Sequence, residues 1–235
     1  MNTIKQAVLL TGAPKRIGLS LARECLKMGF SVIIHYRSSP EPALSELSGH
    51  PDVFFIKCDL SDCYSSFSKK IMELPVILKG LVNNASLFTS GDLSNPDHLK
   101  ELLEINVMAP VRLVASLAPL IKKGWVINIT DAYIDSFNRK FQNYRISKKI
   151  LTDITKQMAS LYAPEIRVNA IAPGAILPAE SGQETRKQFD GLKTKIPLKE
   201  TGNLKTIGQT FRFLVENDYI CGEVIRVDGG LHLSC

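Results

Sequence analysis

Residues 6–29 read QAVLLTGAPKRIGLSLARECLKMG, and this stretch decides the fold. Its first part, residues 6–11, is a short apolar run with the length of a strand that is buried on both faces. A turn follows between Gly12 and Arg16, after which apolar residues recur at helical spacing and Gly29 provides a helix C-cap. The stretch therefore predicts a buried strand, a tight glycine turn and an amphipathic helix.

The rest of the chain repeats this alternation of short apolar runs and helical patterns. The further predicted strands are residues 31–36, 53–57, 80–83, 125–129, 167–171 and 224–227. The further predicted helices are residues 40–47, 61–73, 95–120, a segment ending near 161, and 204–216, whereas 172–199 reads as a long loop with limited helix. Strands that alternate with crossover helices favour a doubly wound α/β fold, here a single domain over residues 1–235 with a mostly parallel seven-stranded sheet.

Composition narrows the class of protein. The chain has no run of 18 apolar residues and no signal-peptide pattern, so we expect a cytoplasmic protein without a membrane span. Five cysteines and four histidines lack the spacing of a disulfide framework or a metal site, which favours free thiols and no metal. The net charge of +6 comes from basic residues spread in pairs, so we expect an anionic small ligand rather than nucleic acid.

The glycine turn indicates a nucleotide site, because ligands of such folds bind at the carboxyl ends of the strands. Gly12 permits the tight turn, Gly18 allows close packing of helix on strand, and the helix N-terminus offers unpaired N–H groups to a pyrophosphate. Arg16 stands where the usual dinucleotide fingerprint has its middle glycine. An ordinary strand–helix turn remains the alternative.

The end of the second predicted strand bears on which dinucleotide would bind. An NAD site places an acidic residue there for the ribose hydroxyls, but residues 35–39 read His-Tyr-Arg-Ser-Ser. Arg37 can grip a 2′-phosphate with its planar fork, and Ser38 can add a hydroxyl donor. NADP(H) is therefore favoured over NAD(H), with a solvated loop arginine as the alternative.

Tyr144 and Lys148 are four residues apart, about one helical turn, so both side chains project from one face. A lysine ammonium nearby can lower the pKa of a tyrosine, which would make Tyr144 a proton donor near neutral pH. By itself the pair can equally decorate a solvated helix.

Along nearly its whole length the chain resembles the short-chain dehydrogenase/reductase family. The matching pieces, in order, are Thr11-Gly-x-x-x-x-x-Gly18, Asp59, Asn83-Asn-Ala85, Asn106, Tyr144-x-x-x-Lys148, Arg167-Val-Asn-Ala and Pro173-Gly174. The resemblance implies that Tyr144 donates a proton, that Lys148 holds the nicotinamide ribose, and that Asn106, otherwise a polar helix residue, anchors a water in the proton relay. It also implies that Asp59 lies beside the adenine and that Asn83 supports the central strand.

The resemblance further implies a set of cofactor contacts. They are Gly12, Lys15, Arg16, Ile17, Tyr36, Arg37, Ser38, Asp59, Leu60, Asn84, Ala85, Ser86, Thr130, Tyr144, Lys148, Pro173, Gly174 and Ile176.

Asp131 departs from the family pattern, which has a serine 13 residues before the tyrosine to polarise a substrate carbonyl. A carboxylate there repels a developing alkoxide, whereas a buried carboxylic acid with a raised pKa suits protonation of a ring nitrogen as a C=N bond is reduced. Alternatively Asp131 is a plain loop residue, and Thr130 or Ser136 replaces the serine.

Asp131, the Lys15-Arg16 pair and the run Asn83-Asn-Ala-Ser86 resemble the pteridine reductase branch, which includes bacterial dihydromonapterin reductases. In that branch an aromatic residue matching Phe88 sandwiches the pterin against the nicotinamide. The resemblance therefore implies substrate contacts from Arg16, Ser86, Phe88, Asp131 and Tyr144, although Phe88 could instead be a loop residue packed on the core.

The sequence thus predicts NADPH-dependent reduction of a pterin or dihydrofolate-like C=N bond, with Asp131, Tyr144, Lys148 and Asn106 as the catalytic set. One alternative is a carbonyl reductase of the same fold, such as a 3-oxoacyl thioester reductase. Another is a nucleotide-sensing binding protein without catalysis. The resemblance also implies a homotetramer, with residues 95–120 and 143–161 at an interface.

Overall fold

In a computed structural model, which describes residues 4–61, 64–135, 137, 139–178, 187 and 189–234, seven parallel strands form one sheet. They are β1 (Lys5–Leu10), β2 (Ser31–Tyr36), β3 (Val53–Lys57), β4 (Val76–Asn83), β5 (Gly124–Ile129), β6 (Ile166–Pro173) and β7 (Val224–Val227). Their order in the sheet is β3-β2-β1-β4-β5-β6-β7. The predicted doubly wound, seven-stranded fold is confirmed, and the sheet is parallel throughout.

Helices connect the strands and cover both faces of the sheet. They are α1 (Arg16–Lys27), α2 (Ala43–Leu47), α3 (Tyr64–Met72), α4 (Pro96–Leu103), α5 (Ala109–Leu117), α6 (Gln142–Tyr162) and α7 (Leu204–Glu216). Asn95 caps α4 by accepting from His98 N, and Pro96 occupies the first helical position, as the sequence indicates. The helix predicted over residues 95–120 is not one regular helix, because a π-helical turn, Glu104–Met108, separates α4 from α5 and a 3₁₀ turn, Ala118–Leu120, ends it.

The alternation of side chains along β1 shows how the core is divided. Val8 and Leu10 face the layer of α1 and α7, whereas Ala7 and Leu9 face the layer of α3, α5 and α6. All four are fully buried. Because both faces of this strand are covered, its side chains are apolar on both faces, and residues 7–10 form a continuous apolar run.

β1 lies at the point where the strand order reverses, with β2 on one side and β4 on the other. The crossovers therefore leave in opposite directions, and the carboxyl ends of β1 and β4 open a cleft between them. The glycine turn follows β1, and Asn84 to Leu87 follow β4, so both enter this cleft.

The structure bears on two expectations from composition, the absence of a membrane span and the free thiols. The segment Pro96–Leu120 is long and apolar enough to cross a membrane by length and composition, but Leu102, Leu113 and Leu117 are fully buried in the protein, as in a core helix. Cys25 and Cys221 are free thiols, whereas Cys58 is disulfide-bonded, a pairing that the cysteine spacing did not indicate.

Candidate active site

The glycine turn after β1 packs directly on the end of β4. Gly12 has φ +56°, and a Cβ atom there would lie 2.7 Å from Ala85 Cα. A Cβ atom at Gly18 would lie 2.5 Å from Ala13 Cα. Any larger side chain at either position would push the turn away from the cleft.

Two polar side chains fix the turn to β4. The Oγ1 atom of Thr11 accepts hydrogen bonds from the N–H groups of Asn84 and Ala85, both at 3.0 Å. The Nδ2 atom of Asn84 donates to Thr11 O at 3.0 Å and to Gly12 O at 2.8 Å. Asn84, predicted as a cofactor contact, thus also holds the turn through its amide.

His35 joins the ends of three strands. Its Nδ1 atom accepts from Gly12 N at 3.1 Å, and its Nε2 atom lies 3.0 Å from Cys58 O, to which it donates. These bonds require the neutral ring, and burial lowers the pKa of His35. The sequence reasoning read His35 only as part of a strand end and missed this link between the turn and the loop after β3.

Arg16 has φ +55°, the left-handed conformation that normally favours glycine. This explains why the usual fingerprint has a glycine at its position. Its guanidinium donates from Nη2 to Pro178 O at 2.8 Å and to Leu177 O at 3.5 Å, in the loop after β6. Arg16 therefore connects the glycine turn to the loop that follows the sixth strand.

A cavity of about 990 Å³ occupies the cleft between β1 and β4. Ten of the predicted cofactor contacts line it: Gly12, Lys15, Arg16, Ile17, Arg37, Asp59, Leu60, Asn84, Ala85 and Ser86. α1 points its N-terminus here with no acidic residue in its first turn and no side-chain cap on its N–H groups, which leaves them for an anion.

The opposite wall of the cavity comes from the face of α4 and the π-helical turn. Its residues are Asp97, Lys100, Glu101, Glu104 and Ile105, which the sequence reasoning missed. Their spacing of three and four places them on one helix face, and this is the signal that could have identified them once the helix was placed after β4.

The end of the cleft that Arg37 and Asp59 line carries opposite charges. Hydrogen bonds from the N–H and hydroxyl of Ser61 to one carboxylate oxygen are the main cause that lowers the pKa of Asp59, and the charge of Arg37 adds to the effect. Arg37 is exposed at the cavity edge, so its guanidinium can meet a phosphate without a large desolvation cost.

The other eight predicted cofactor contacts do not line this cavity. They are Tyr36, Ser38, Thr130, Tyr144, Lys148, Pro173, Gly174 and Ile176. Thr130 N donates to Ile171 O, and Ala132 N donates to Pro173 O, so the ends of β5 and β6 are held together. Most of these residues therefore lie along β5, β6 and α6, beyond the β1–β4 cleft. Ser136, the alternative to Asp131, lies outside the described residues.

Asp131, Tyr144 and Lys148 meet at the end of β5. The Tyr144 hydroxyl donates to Asp131 Oδ2 at 3.1 Å, while Asp131 Oδ1 accepts from Tyr133 N at 2.7 Å. The Nζ atom of Lys148 donates to Ile129 O at 2.8 Å and lies 5.9 Å from the centre of the Tyr144 ring. Tyr144 and Lys148 are both buried, so this pair does not decorate a solvated helix.

The pKa shifts at this cluster follow from burial and from Asp131. Burial raises the pKa of the Asp131 carboxyl. The pKa of Tyr144 is raised well above its ordinary value by burial and then by the neighbouring carboxylate, and burial lowers the pKa of Lys148 to about 8. The expected lowering of the Tyr144 pKa by Lys148 is therefore wrong, because burial disfavours the phenolate and the Asp131 carboxylate, which takes the place of the usual serine, adds to the effect.

Asn106 lies in the π-helical turn and is fully buried. Its Oδ1 atom accepts from Ser86 Oγ at 3.1 Å and from Leu87 N at 2.7 Å, and its Nδ2 atom donates to Leu87 O at 3.0 Å and Ser147 Oγ at 2.9 Å. All four hydrogen-bonding positions of the side chain are used. Asn106 thus couples the segment after β4 to α6, where its partner Ser147 immediately precedes Lys148.

Phe88 lies beside Tyr144 of the Asp131–Tyr144–Lys148 cluster, and 54% of its surface is exposed. Its ring stacks on Phe141 with centroids 4.7 Å apart and an angle of 11° between the planes, and it meets the Tyr144 ring edge-on, also at 4.7 Å. Phe88 is therefore not packed away on the core. Phe141, which the sequence reasoning missed, adds a second ring to the wall beside Tyr144.

Comparison with known proteins identifies the family. The family model described as enoyl-(acyl carrier protein) reductase, of the short-chain dehydrogenase type, matches residues 12–232. The chain belongs to the short-chain dehydrogenase/reductase family. Its match extends from the glycine turn to the residues after β7, so the family pattern includes both halves of the sheet.

Similar members of the family carry pterin and folate names. A dihydromonapterin reductase of Klebsiella pneumoniae subsp. pneumoniae is 31% identical over 234 residues, which cover 95% of each chain. The FolM alternative dihydrofolate reductase 1 of Brucella canis, solved with NADP, superposes with a TM-score of 0.86 at 31% identity, covering 97% of this chain and 94% of that one. The corresponding Brucella suis protein, also solved with NADP, gives 0.85 at 31% identity, covering 97% and 95%. The predicted pteridine and dihydromonapterin reductase branch of the short-chain reductases is confirmed.

Proposed function

We propose that this short-chain reductase uses NADPH to reduce the C=N bond of a dihydropterin, either dihydromonapterin or a dihydrofolate-like substrate. The observation that carries the proposal is the hydrogen bond of 3.1 Å from the Tyr144 hydroxyl to Asp131 Oδ2. It brings a carboxyl group with a raised pKa to the proton donor of the family. The names of the similar proteins support the same substrate class.

The residues of the cleft fit NADPH, which when bound supplies the hydride. The uncapped N-terminus of α1 and the turn at Gly12 suit a pyrophosphate, and the exposed Arg37 suits a 2′-phosphate. Asp59 has a carboxylate oxygen beyond the one bonded to Ser61 that can accept from the adenine amine. Lys148 holds the nicotinamide ribose in this proposal.

Proton delivery falls to Tyr144 and Asp131. Burial raises the pKa of Asp131, which favours its protonated form relative to an exposed carboxyl group, and it raises the pKa of Tyr144, which keeps the hydroxyl protonated. As the carbon of the C=N bond is reduced, the ring nitrogen gains an electron pair and takes a proton from Tyr144 or Asp131. Lys148, whose pKa is about 8, remains cationic at pH 7 and compensates the charge left behind.

The contacts of Asn106 restrict how it can bind a water of the proton relay. Because its side-chain amide is saturated by Ser86, Leu87 and Ser147, a relay water bound to Asn106 has to use the main-chain carbonyl. Asn106 lies in the π-helical turn, where the backbone pairing departs from the regular α-helical pattern.

The test is NADPH oxidation by the pure protein with dihydromonapterin, dihydrofolate or an acetoacetyl thioester as substrate. We expect turnover of a dihydropterin, and loss of about 10²-fold in kcat for Asp131→Ser with NADPH affinity unchanged. Turnover of the thioester alone would establish the carbonyl reductase alternative. Absence of any turnover with intact NADPH binding would support the nucleotide-sensing alternative.

We also propose that the described fold acts as a single reductase domain, assembles as a homotetramer and works in the cytoplasm. Met108, between α4 and α5, and Leu161 on α6 are exposed apolar residues on the two segments that the family resemblance places at an interface. Light scattering on the purified protein measures the assembly, and a monomer at micromolar concentration would contradict it.

A further inference from the structure

A hydrogen-bonded cluster outside the cofactor cleft ties the segment after β4 to the start of α6. Asn143 is fully buried, and its Nδ2 atom lies 2.7 Å from Asp92 O, 3.3 Å from Asn95 O and 3.1 Å from His98 Nδ1. Its Oδ1 atom is buried without a partner in the described part of the chain. Turning the amide over would point Oδ1 at two carbonyl oxygens, so the two carbonyls fix its orientation.

The fixed amide also determines the state of His98. Nδ1 of the ring has to accept from Asn143, and Nε2 then donates to Thr89 Oγ1 at 2.8 Å. The ring fits because residue 91 is a glycine: a Cβ atom there would lie 2.4 Å from His98 Nδ1. Gly91, His98 and Asn143 therefore depend on one another for their positions.

Backbone bonds extend the same connection. Gly91 N donates to Lys140 O at 2.8 Å, and Asn143 N donates to Gly91 O at 3.2 Å, so the segment pairs with the residues that lead into α6. Phe88 immediately precedes Thr89 in this segment, whereas Phe141 lies two residues before Asn143 and Tyr144 immediately follows it. The cluster thus joins the two pieces of chain that carry the three aromatic rings.

We propose that Gly91, His98 and Asn143 are positioning residues that hold Phe88 and Phe141 as a preformed wall beside the Tyr144 hydroxyl, against which a flat heteroaromatic substrate stacks. This inference rests on the proposed function and names what shapes its substrate site. A wall that is ordered before binding spares the ligand the cost of ordering the rings. The exposed half of Phe88 is the surface left for the ligand.

The experiment compares His98→Ala and Gly91→Ala, which disturb the cluster from two directions. We measure kcat and KM for the dihydropterin, the Kd of NADPH, and the Kd of a fluorescent oxidised pterin on the NADP-saturated protein. Both variants should raise KM and the pterin Kd about tenfold, with kcat and NADPH affinity changed by less than about threefold. His98→Asn, which keeps an acceptor near the position of Nδ1, should recover part of the loss.

Gly49→Ala is the matched control, because a Cβ atom there meets nothing within 4 Å. Unchanged pterin affinity in folded His98→Ala and Gly91→Ala proteins would overturn the inference. Equal losses for pterin and NADPH would also overturn it, since they indicate a general structural role. If the wild type binds pterin without reducing it and the variants bind it more weakly, the proposed function fails while the positioning role stands.

Discussion

Replacing Arg16 by glycine and by alanine separates the energetic cost of its backbone conformation from the contribution of its side-chain hydrogen bonds. A residue with a Cβ pays about 1–2 kcal/mol in the left-handed region, and Arg16 has φ +55°. Glycine relieves that strain but costs about 0.5–1 kcal/mol through the greater freedom of the unfolded chain. Alanine keeps the strain and, like glycine, loses the guanidinium.

The lost hydrogen bonds set the rest of the balance. The bond from Arg16 to Pro178 O is 2.8 Å long and involves a charged donor, which is worth about 1.5–3 kcal/mol when partly buried. Arg16→Ala should therefore destabilise the protein by about 2 kcal/mol, and Arg16→Gly by about 1 kcal/mol. The difference of about 1 kcal/mol corresponds to about 2–4 °C in Tm for a chain of this size.

Urea unfolding followed by circular dichroism measures both free energies, and NADPH-oxidation kinetics measure the function. Because both variants lose the charge and the loop contact, both should raise the KM values for NADPH and pterin by a similar factor of about ten. A glycine variant no more stable than the alanine variant would refute the claim that Arg16 is strained. Wild-type kinetics in both would refute a role for the guanidinium in binding.

Three further predictions concern charged and titratable groups. Arg37→Ala should raise KM for NADPH about tenfold or more and leave KM for NADH nearly unchanged; a uniform effect would mean that Arg37 does not read the phosphate. The lowered pKa of His35 means that its neutral form stabilises the fold above about pH 6.5 and that this stability is lost as pH falls. In urea titrations, the free energy of unfolding should therefore fall less on acidification for His35→Gln than for the wild type. Equal falls in the two proteins would contradict this. Lys148→Met should abolish reduction yet raise the free energy of unfolding at pH 7, since burial lowers the Lys148 pKa to about 8; a less stable variant would contradict the cost of burying that cation.

Apolar patterning was enough to predict most of the sheet. β2, β3, β7 and α7 begin and end at the predicted residues, because the strands are short runs bounded by polar or turn residues and the helix is an amphipathic pattern that begins after its N-cap Asn203. β4 begins at Val76, four residues before the predicted start, because Lys79 interrupts the apolar pattern although the backbone continues to pair with β1. Pairing with a neighbouring strand is a tertiary effect, which local periodicity does not contain.

The parts of the site that sequence reasoning missed depend on contacts between distant segments. His35 gains its role from Gly12 and Cys58, each 23 residues away, and Arg16 gains its anchor from residues more than 160 positions later. Neither contact leaves a local pattern. The residue types were nevertheless informative, because an arginine at a glycine position and a histidine inside a buried strand are both costly without a specific partner.

The pairing of Asp131 with Tyr144 bears on the substrate through the charge that each reaction creates. Reduction of a carbonyl builds negative charge on an oxygen, and a carboxylate bonded to the proton donor at 3.1 Å opposes that charge. Reduction of a C=N bond places an electron pair on a nitrogen, which is basic enough to take a proton from a carboxylic acid. Burial raises the pKa of Asp131, which favours its protonated form. The aromatic wall of Phe88 and Phe141 provides a surface on which a flat ring can stack. Electrostatics and shape therefore favour the same substrate class from independent parts of the site.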